Sequence, residues 1–180
     1  MSIRLGVIGS SSGNGHPYSW SAIFNGYDKK NMEKCGFPAI PNYLSKQNWP
    51  EAQLDSAKVI SIWTQDKENS EHIAKSTYIN NVSKSLAEMN KSVDAVLLAR
   101  DDAENHMDIA RIFLLSGKPI YIDKPIALSI SAFCSSVYEL YSWFDAVSPK
   151  PSNTLPAKPK PNVKGLRSEA PAATRFPDSA

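Results

Sequence analysis

The fold class that the sequence predicts is α/β, a doubly wound parallel sheet, and three observations predict it. Short and nearly continuous apolar runs at Ile3–Ile8 and at residues 58–64, 93–99 and 119–122 read as strands buried on both faces. Stretches with helical spacing of apolar residues lie between them. The first run stops at Gly9 and passes through seven small residues, 9–15, into a helical pattern. Strand, small-residue loop and amphipathic helix make half of a βαβ unit.

Taken in order, Ile3–Ile8 is the first strand. Ser19 is placed to cap the following helix, in which Trp20, Ile23, Phe24 and Tyr27 fall at i, i+3, i+4 and i+7. Pro38, Pro41 and Pro50 break residues 28–56 into loop, with one short helix expected near 43–47. Val59, Ile60, Ile62 and Trp63 mark the second strand, and a polar helix over 68–76 turns Ile73 and Ala74 inward. Tyr78-Ile79 reads as a short strand, and 82–90 as a helix using Leu86 and Met89. After the strand at 93–99, Asp101 and Asp102 suit a helix N-terminus. Ile109, Ile112 and Phe113 give that helix its stripe, and Gly117 ends it before Lys118-Pro119. A strand at 119–122 leads into Asp123-Lys124-Pro125. A last helix from about Ser129 carries Ile130, Phe133, Val137, Leu140, Tyr141 and Phe144 on one face.

The chain has 180 residues, 42% hydrophobic and 21% charged, the make-up of a soluble globular protein. No run of about 18 apolar residues occurs, so no membrane span is expected. The first residues enter a strand directly, without the layout of a signal peptide. Cys35 and Cys134 stand in no metal or CxxC spacing. Together these point to the reducing cytoplasm. A net charge of +2 gives no reason to expect a nucleic-acid partner. That average hides a split. Residues 146–180 hold 7 of the 13 prolines and a net charge of +4, and the first 145 residues carry −2. Residues 1–145 therefore read as a single domain, and 146–180 as a disordered Pro/Lys-rich tail.

The first loop is the natural ligand site, because a strand turning into a helix aims backbone N–H groups at an anion. Gly9 allows the tight turn, and Ser10, Ser11, Ser12, Gly13 and Asn14 let a diphosphate approach the backbone. The loop departs from G-x-G-x-x-G: counted from Gly9, the second and third glycine positions hold Ser11 and Asn14. A flexible turn joining strand to helix reads the same way. An acidic ribose partner normally ends the second strand. Here Thr64 stands there, able to bond a ribose hydroxyl, and Asp66 follows as a ribose carboxylate or, more simply, a helix cap. Asp123-Lys124-Pro125 ends a strand on the sheet edge where ligands bind. Lys124 can hold a hydroxyl there with a fixed charge; a solvated lysine before a turn proline looks identical. His106 faces either a ligand or a packed interior.

Residues 2–134 resemble the N-terminal nucleotide-binding domain of the glucose-fructose oxidoreductase/inositol dehydrogenase (Gfo/Idh/MocA) family. The resemblance rests on residues 93–99, on His106 with its helix, on Ser116-Gly117-Lys118-Pro119, and on the stretch from Tyr121 to Ser129 containing Asp123-Lys124-Pro125. The family writes that last motif as Glu-Lys-Pro before a Leu-Ala-Leu-Ser-like helix entry. The resemblance implies a Rossmann-type NAD(P)-binding domain and NAD(P)-dependent oxidation of the CH–OH groups of sugars. Residues 9–14 would bind the diphosphate of NAD or NADP, Ala99 and Arg100 would line the nicotinamide side, and Lys124, beside Asp123, would act as the catalytic lysine orienting substrate and ribose. Asp123 replaces the usual Glu, and Arg100-Asp101-Asp102 replaces a Thr-Pro-Asn-like segment. Residues 13–20 are similar to members found with sugar and lipopolysaccharide biosynthesis, which implies a sugar or nucleotide-sugar substrate.

The family carries a second α/β domain with a histidine base. After Phe144 no β-type run and no histidine follow; His16, His72 and His106 all lie upstream. The expectation is a truncated member that binds cofactor with little or no turnover. The other readings are one half of a split dehydrogenase and a non-enzymatic module or remnant that binds a protein partner through its open sheet edge and basic tail.

Overall fold

A computed structural model describes residues 2–131, 133, 134, 137 and 138. Five parallel strands form one sheet in the order β3-β2-β1-β4-β5. They are β1 Ile3–Ile8, β2 Ala57–Trp63, β3 Asn81–Val82, β4 Ala95–Leu98 and β5 Ile120–Ile122. The helices are α1 His16–Asn25, α2 Lys29–Met32, α3 Ala39–Leu44, α4 Lys67–Ser76, α5 Leu86–Ser92 and α6 His106–Leu115, the last preceded by a 3₁₀ turn at Ala103–Asn105. The doubly wound parallel sheet that the sequence predicts is the fold observed.

Both faces are covered, as a parallel sheet requires. Leu5 and Val7 of β1 and Val59 of β2 pack with Tyr18, Ala22, Ile40 and Ile73 on one face. Ile8, Val96 and Leu98 meet Met89 and Phe113 on the other. Phe113, Val7, Ile8 and Val59 are fully buried, so β1 lies at the centre of both core layers. At the amino edge of the sheet, Arg4 and Asp94 tie β1 to the entry of β4. The Arg4 backbone N–H and Nε donate to Asp94 Oδ2 at 2.9 and 3.1 Å, and its guanidinium reaches Oδ1 at 2.6 Å.

Several boundaries differ from those the sequence predicts, each for a local reason. α1 starts at His16, ahead of Ser19: the His16 N–H donates to Asn14 Oδ1 at 2.8 Å, and Ser19 sits inside the first turn with its hydroxyl on His16 O. α2, unexpected, is begun by Asp28, whose carboxylate accepts the Asn31 N–H at 2.7 Å. α3 starts at Ala39, earlier than the expected 43, because Pro38 and Pro41 fall in its first turn, where no N–H is needed. The strand expected at Tyr78-Ile79 is displaced to Asn81–Val82; Tyr78 has φ of 54° where the chain leaves α4. α5 consequently begins after Ser85, which accepts the Glu88 N–H at 3.1 Å. Helical structure resumes at Ile130, with Phe133 N–H bonded to Ser129 O at 3.0 Å. The remainder of that helix, the boundary at 145 and the tail lie outside the described residues. Among the described residues no helix is long and apolar enough to cross a membrane.

Candidate cofactor-binding site

Strand order reverses between β1 and β4, and in open α/β sheets ligands bind in the crevice outside the carboxyl ends at such a switch point. Three loops meet there, following β1, β4 and β5. Ala99 N–H donates to Ile8 O at 2.8 Å, continuing the β1–β4 ladder past the strand ends. Asp101 N–H donates to Ser11 Oγ at 2.8 Å, and Asn14 Nδ2 donates to Asp101 Oδ1 at 2.6 Å. The loop after β1 is thus held to the loop after β4 by two of its side chains, Ser11 and Asn14.

The third loop brings charge. His16 Nδ1 lies 2.6 Å from Asp123 Oδ2, and Lys124 Nζ lies 3.2 Å from the same oxygen and 3.9 Å from Asp101 Oδ1. Two carboxylates therefore position one ammonium at the mouth of the crevice, where Lys124 keeps about 39% of its side chain exposed. The His16 ring is fixed in turn: it stacks on Trp20 at 5.0 Å and 9°, and Trp20 meets the Tyr121 ring edge-on at 5.5 Å. His16, Asp101 and Asp123 also present ligand atoms within 4.8 Å of one another. The Lys124 ammonium already supplies the positive charge those carboxylates face.

The loop itself fits a diphosphate only in part. Gly9 is required by packing, since a Cβ there would meet Pro17 Cγ at 2.5 Å. Pro17 has no N–H and His16 N–H is taken by Asn14. The first donors of α1 are therefore not open to an anion, contrary to the simple helix-terminus expectation. What is open is the middle of the loop: Ser12 and Gly13 are exposed, and a Cβ on Gly13 (φ +79°) would touch nothing within 4 Å. Ser10 is anchored at the outer side, its N–H on Gln65 Oε1 at 3.0 Å and its carbonyl accepting Gln65 Nε2 at 2.8 Å.

Two expected site residues are turned elsewhere. The Thr64 hydroxyl, expected at a ribose, bonds instead to Asp66 O and to Ser70 Oγ at 2.8 Å, and Thr64 is buried. The polar start of α4 captures it, and Asp66 caps that helix through Glu68 N–H at 2.9 Å. Arg100, expected to line the nicotinamide side, folds its guanidinium onto Asp102 through Nε at 2.7 Å and a second nitrogen, leaving 7% of its side chain exposed. Ala99 beside it is fully buried. This pairing holds the Asp102 carboxyl down at about 2, chiefly by the Arg100 hydrogen bond. His106 is a fully buried clamp, Nδ1 at 2.9 Å from Pro125 O and Nε2 at 3.1 Å from Arg100 O, joining the second and third loops from beneath.

Asp101 and His16 are the two groups in the crevice that sequence reasoning passed over as ligand contacts. Asp101 reads as a helix-start acid, yet it is the exposed member of Arg100-Asp101-Asp102 and meets all three loops. His16 is the first titratable side chain after the small-residue loop, which is the signal that could have identified it.

Comparison with known proteins accords with this geometry. Residues 3–141 match the model of the oxidoreductase family with an NAD-binding Rossmann fold. No curated protein matches the sequence. Among solved structures, UDP-N-acetylglucosamine 3-dehydrogenase GnnA from Acidithiobacillus ferrooxidans is similar at 16% identity and a TM-score of 0.50, over 81% of this chain and 36% of that one. A dehydrogenase (MviM) from Clostridium difficile is similar at 21% identity and 0.50, over 81% and 37%. Scyllo-inositol dehydrogenase from Lactobacillus casei, with bound NAD(H) and scyllo-inositol, is similar at 15% and 0.52, over 81% and 34%. The chain thus spans about a third of the length of these structures, and at such identities the likeness speaks for the fold. With the family model matching over most of its length, the chain belongs to the Gfo/Idh/MocA oxidoreductases, in which it corresponds to the NAD-binding Rossmann domain.

Proposed function

We propose that this chain is the cofactor-binding part of a cytoplasmic dehydrogenase that oxidises a CH–OH group of a sugar or nucleotide sugar. In this reading NAD or NADP lies across the carboxyl edge of the sheet. Its diphosphate rests over residues 9–14, and its nicotinamide end points toward Asp123 and Lys124. The observation that carries the proposal is the convergence of Asn14, Asp101, Asp123 and Lys124 from three loops onto the switch-point crevice.

When bound, the oxidised dinucleotide would supply the hydride acceptor for the substrate carbon. The chain's own residues orient that event. Asp123 and Asp101 hold the Lys124 ammonium at the mouth of the crevice, where it can fix a substrate hydroxyl or a ribose. Hydride loss from a CH–OH group also needs a base at the hydroxyl. Two of the three histidines are committed elsewhere, His72 to the Tyr18 hydroxyl at 2.7 Å and His106 to its two carbonyls. His16 alone among them reaches the crevice, bonded to Asp123. Turnover by these 180 residues alone is expected to be little or none, because the reaction needs a dry, closed site and Lys124 here is open to solvent.

Titration of the folded 180-residue protein with NAD⁺, NADH, NADP⁺ and NADPH, followed by calorimetry or nicotinamide fluorescence, tests the reading. Saturable binding at about micromolar concentrations, ordinary for a site of this kind, is the expected result. A folded sample that binds none of the four overturns it and favours a partner-binding role.

A further inference from the structure

The carboxyl end of β2 has a second feature that the crevice at β1 and β4 does not account for. Beyond Gln65 opens a cavity of about 340 Å³, floored by Trp63 and Val82 and rimmed by Gln65, Ser83, Lys67 and Lys84. Gln65 belongs to both places, since its amide also holds Ser10 of the loop after β1. The cavity therefore adjoins the outer end of the proposed diphosphate position, on the side where the end of a second strand meets a dinucleotide ribose.

We propose that this cavity receives the 2′-phosphate of NADP(H), and that Lys67 and Lys84 make the chain selective for the phosphorylated dinucleotide. The inference rests on the dinucleotide reading above and deepens it.

Two arguments carry it. A site for the unphosphorylated cofactor places a carboxylate at the end of β2 to accept the ribose hydroxyls, and that carboxylate repels a 2′-phosphate. Here Thr64 stands at that position with its hydroxyl bonded inward. Two of the acidic groups nearby are turned to backbone donors: Asp66 to Glu68 N–H, and Glu88 to the Lys84 N–H at 3.0 Å. The rim, in contrast, carries two cations. Lys67 has 84% of its side chain exposed and, among the described residues, pairs with Glu71 at 3.5 Å, a surface pair weak enough to be exchanged for a phosphate. Lys84 is exposed, and among the described residues no carboxylate pairs with its ammonium. Both can swing over the opening, while Ser83, bonded to Ser61 and Asn81, and Gln65, bonded to Ser10, hold the cavity wall between them.

The experiment compares NAD⁺ and NADP⁺ binding to the full 180-residue chain and to its Lys67→Ala/Lys84→Ala double variant, with adenosine 2′,5′-bisphosphate and 5′-AMP as probes of this end alone. The expected result is that NADP⁺ binds the unaltered chain at least about tenfold tighter than NAD⁺, the scale of one or two charge-assisted phosphate contacts. The bisphosphate should outcompete 5′-AMP in parallel. The double variant should bring the two dinucleotides within about twofold while NAD⁺ binding holds, because only phosphate contacts are removed. Equal or tighter binding of NAD⁺ by the unaltered chain overturns the selectivity and leaves the dinucleotide reading standing, as does a double variant that keeps the preference. If a folded sample binds neither dinucleotide, the dinucleotide reading itself falls and this inference with it.

Discussion

The two ends of the same sheet carry ion pairs of the same chemical kind and use them differently. At the amino edge, Arg4 spends its backbone N–H and its guanidinium on one carboxylate, Asp94, and Asp94 N–H returns to Arg4 O at 2.7 Å. Everything there is reciprocal, and it joins two strands that the ladder already pairs. At the carboxyl edge, the charges do not close on themselves. Asp123 is shared by His16 and Lys124, Asp101 by Asn14 and Lys124, and the ammonium remains half open to solvent. The difference shows how an ion pair that finishes a fold can be told from one that prepares a site: the first uses its groups up, and the second holds some of them in reserve. Arg100–Asp102 belongs to the first kind although it lies at the second edge, and it is the more buried pair.

That contrast is most directly broken by removing one arginine from each edge. Arg100→Ala strands the Asp102 carboxylate in a mostly buried position, and breaking such a pair costs about 3 kcal/mol. The expected outcome is a large fall in the urea midpoint, together with weakened dinucleotide binding, because the loop that presents Asp101 loses the side-chain pair that fixes it. Arg4→Ala breaks a pair whose two side chains are already about half exposed, and should lower the midpoint far less, with binding unchanged. Equal losses for the two variants would remove the distinction between the edges.

Gly9→Ala comes next. The new methyl would lie 2.5 Å from Pro17 Cγ, and a proline ring inside α1 has little room to yield. Overpacking of this kind costs about 1–3 kcal/mol. Because Pro17 and His16 are adjacent, the shift should also move His16 away from Asp123. Loss of stability by thermal melting with a parallel loss of dinucleotide affinity is expected. A variant as stable as the unaltered chain would mean that the turn relaxes without moving α1.

The same contrast explains what could be read from the sequence. Strands buried on both faces announce themselves as unbroken apolar runs, so Ile3–Ile8 matches β1 residue for residue, and the other long runs differ from β2, β4 and β5 by a residue or two at their ends. Two-residue β3 carries no such signal, and the αL residue Tyr78 that displaces it looks like a strand former by composition. α2 rests on one capping aspartate and four residues, too short for a period to appear. In the site, the position of Asp123 and Lys124 at the carboxyl edge is legible from the strand end before them, but their role is not, because a solvated lysine before a turn proline reads identically. Nor are the roles of Thr64 and Arg100, since each side chain chooses between the crevice and a neighbour two residues away, Asp66 or Asp102, and only the packed backbone decides. Asp101 is the mirror case, freed to face the crevice because Asp102 takes the arginine.

Lys124→Ala sharpens the site side of the comparison. If the ammonium is held in reserve, removing it should leave the melting temperature unchanged and the dinucleotide dissociation constant within about threefold, the range of a single exposed charge. The nicotinamide fluorescence on binding should change clearly, because that end loses its fixed cation. Complete loss of binding by the folded variant would instead make Lys124 a main affinity contact and overturn its role as an orienting group.

The smallest expected effect separates the edges in acid. The Arg4 hydrogen bonds hold the Asp94 carboxyl at about 2, below its ordinary 3.8, and the Arg100 hydrogen bond does the same for Asp102. A carboxyl whose folded value is depressed binds its proton more readily when unfolded. Its contribution is therefore fully present above about pH 3.8 and is lost as pH falls toward 2. Asp94→Asn removes that titration at the amino edge. Its urea midpoint should lie below that of the unaltered chain at pH 5, and the gap should narrow between pH 4 and pH 2 as the native carboxylate is protonated. Asp102→Asn should show the same narrowing from a larger gap, because its arginine has no water to fall back on. Parallel curves for Asp94→Asn and the unaltered chain over that range would show that Arg4 does not hold Asp94 ionised in the folded state. The amino edge would then owe its closure to the strand ladder alone.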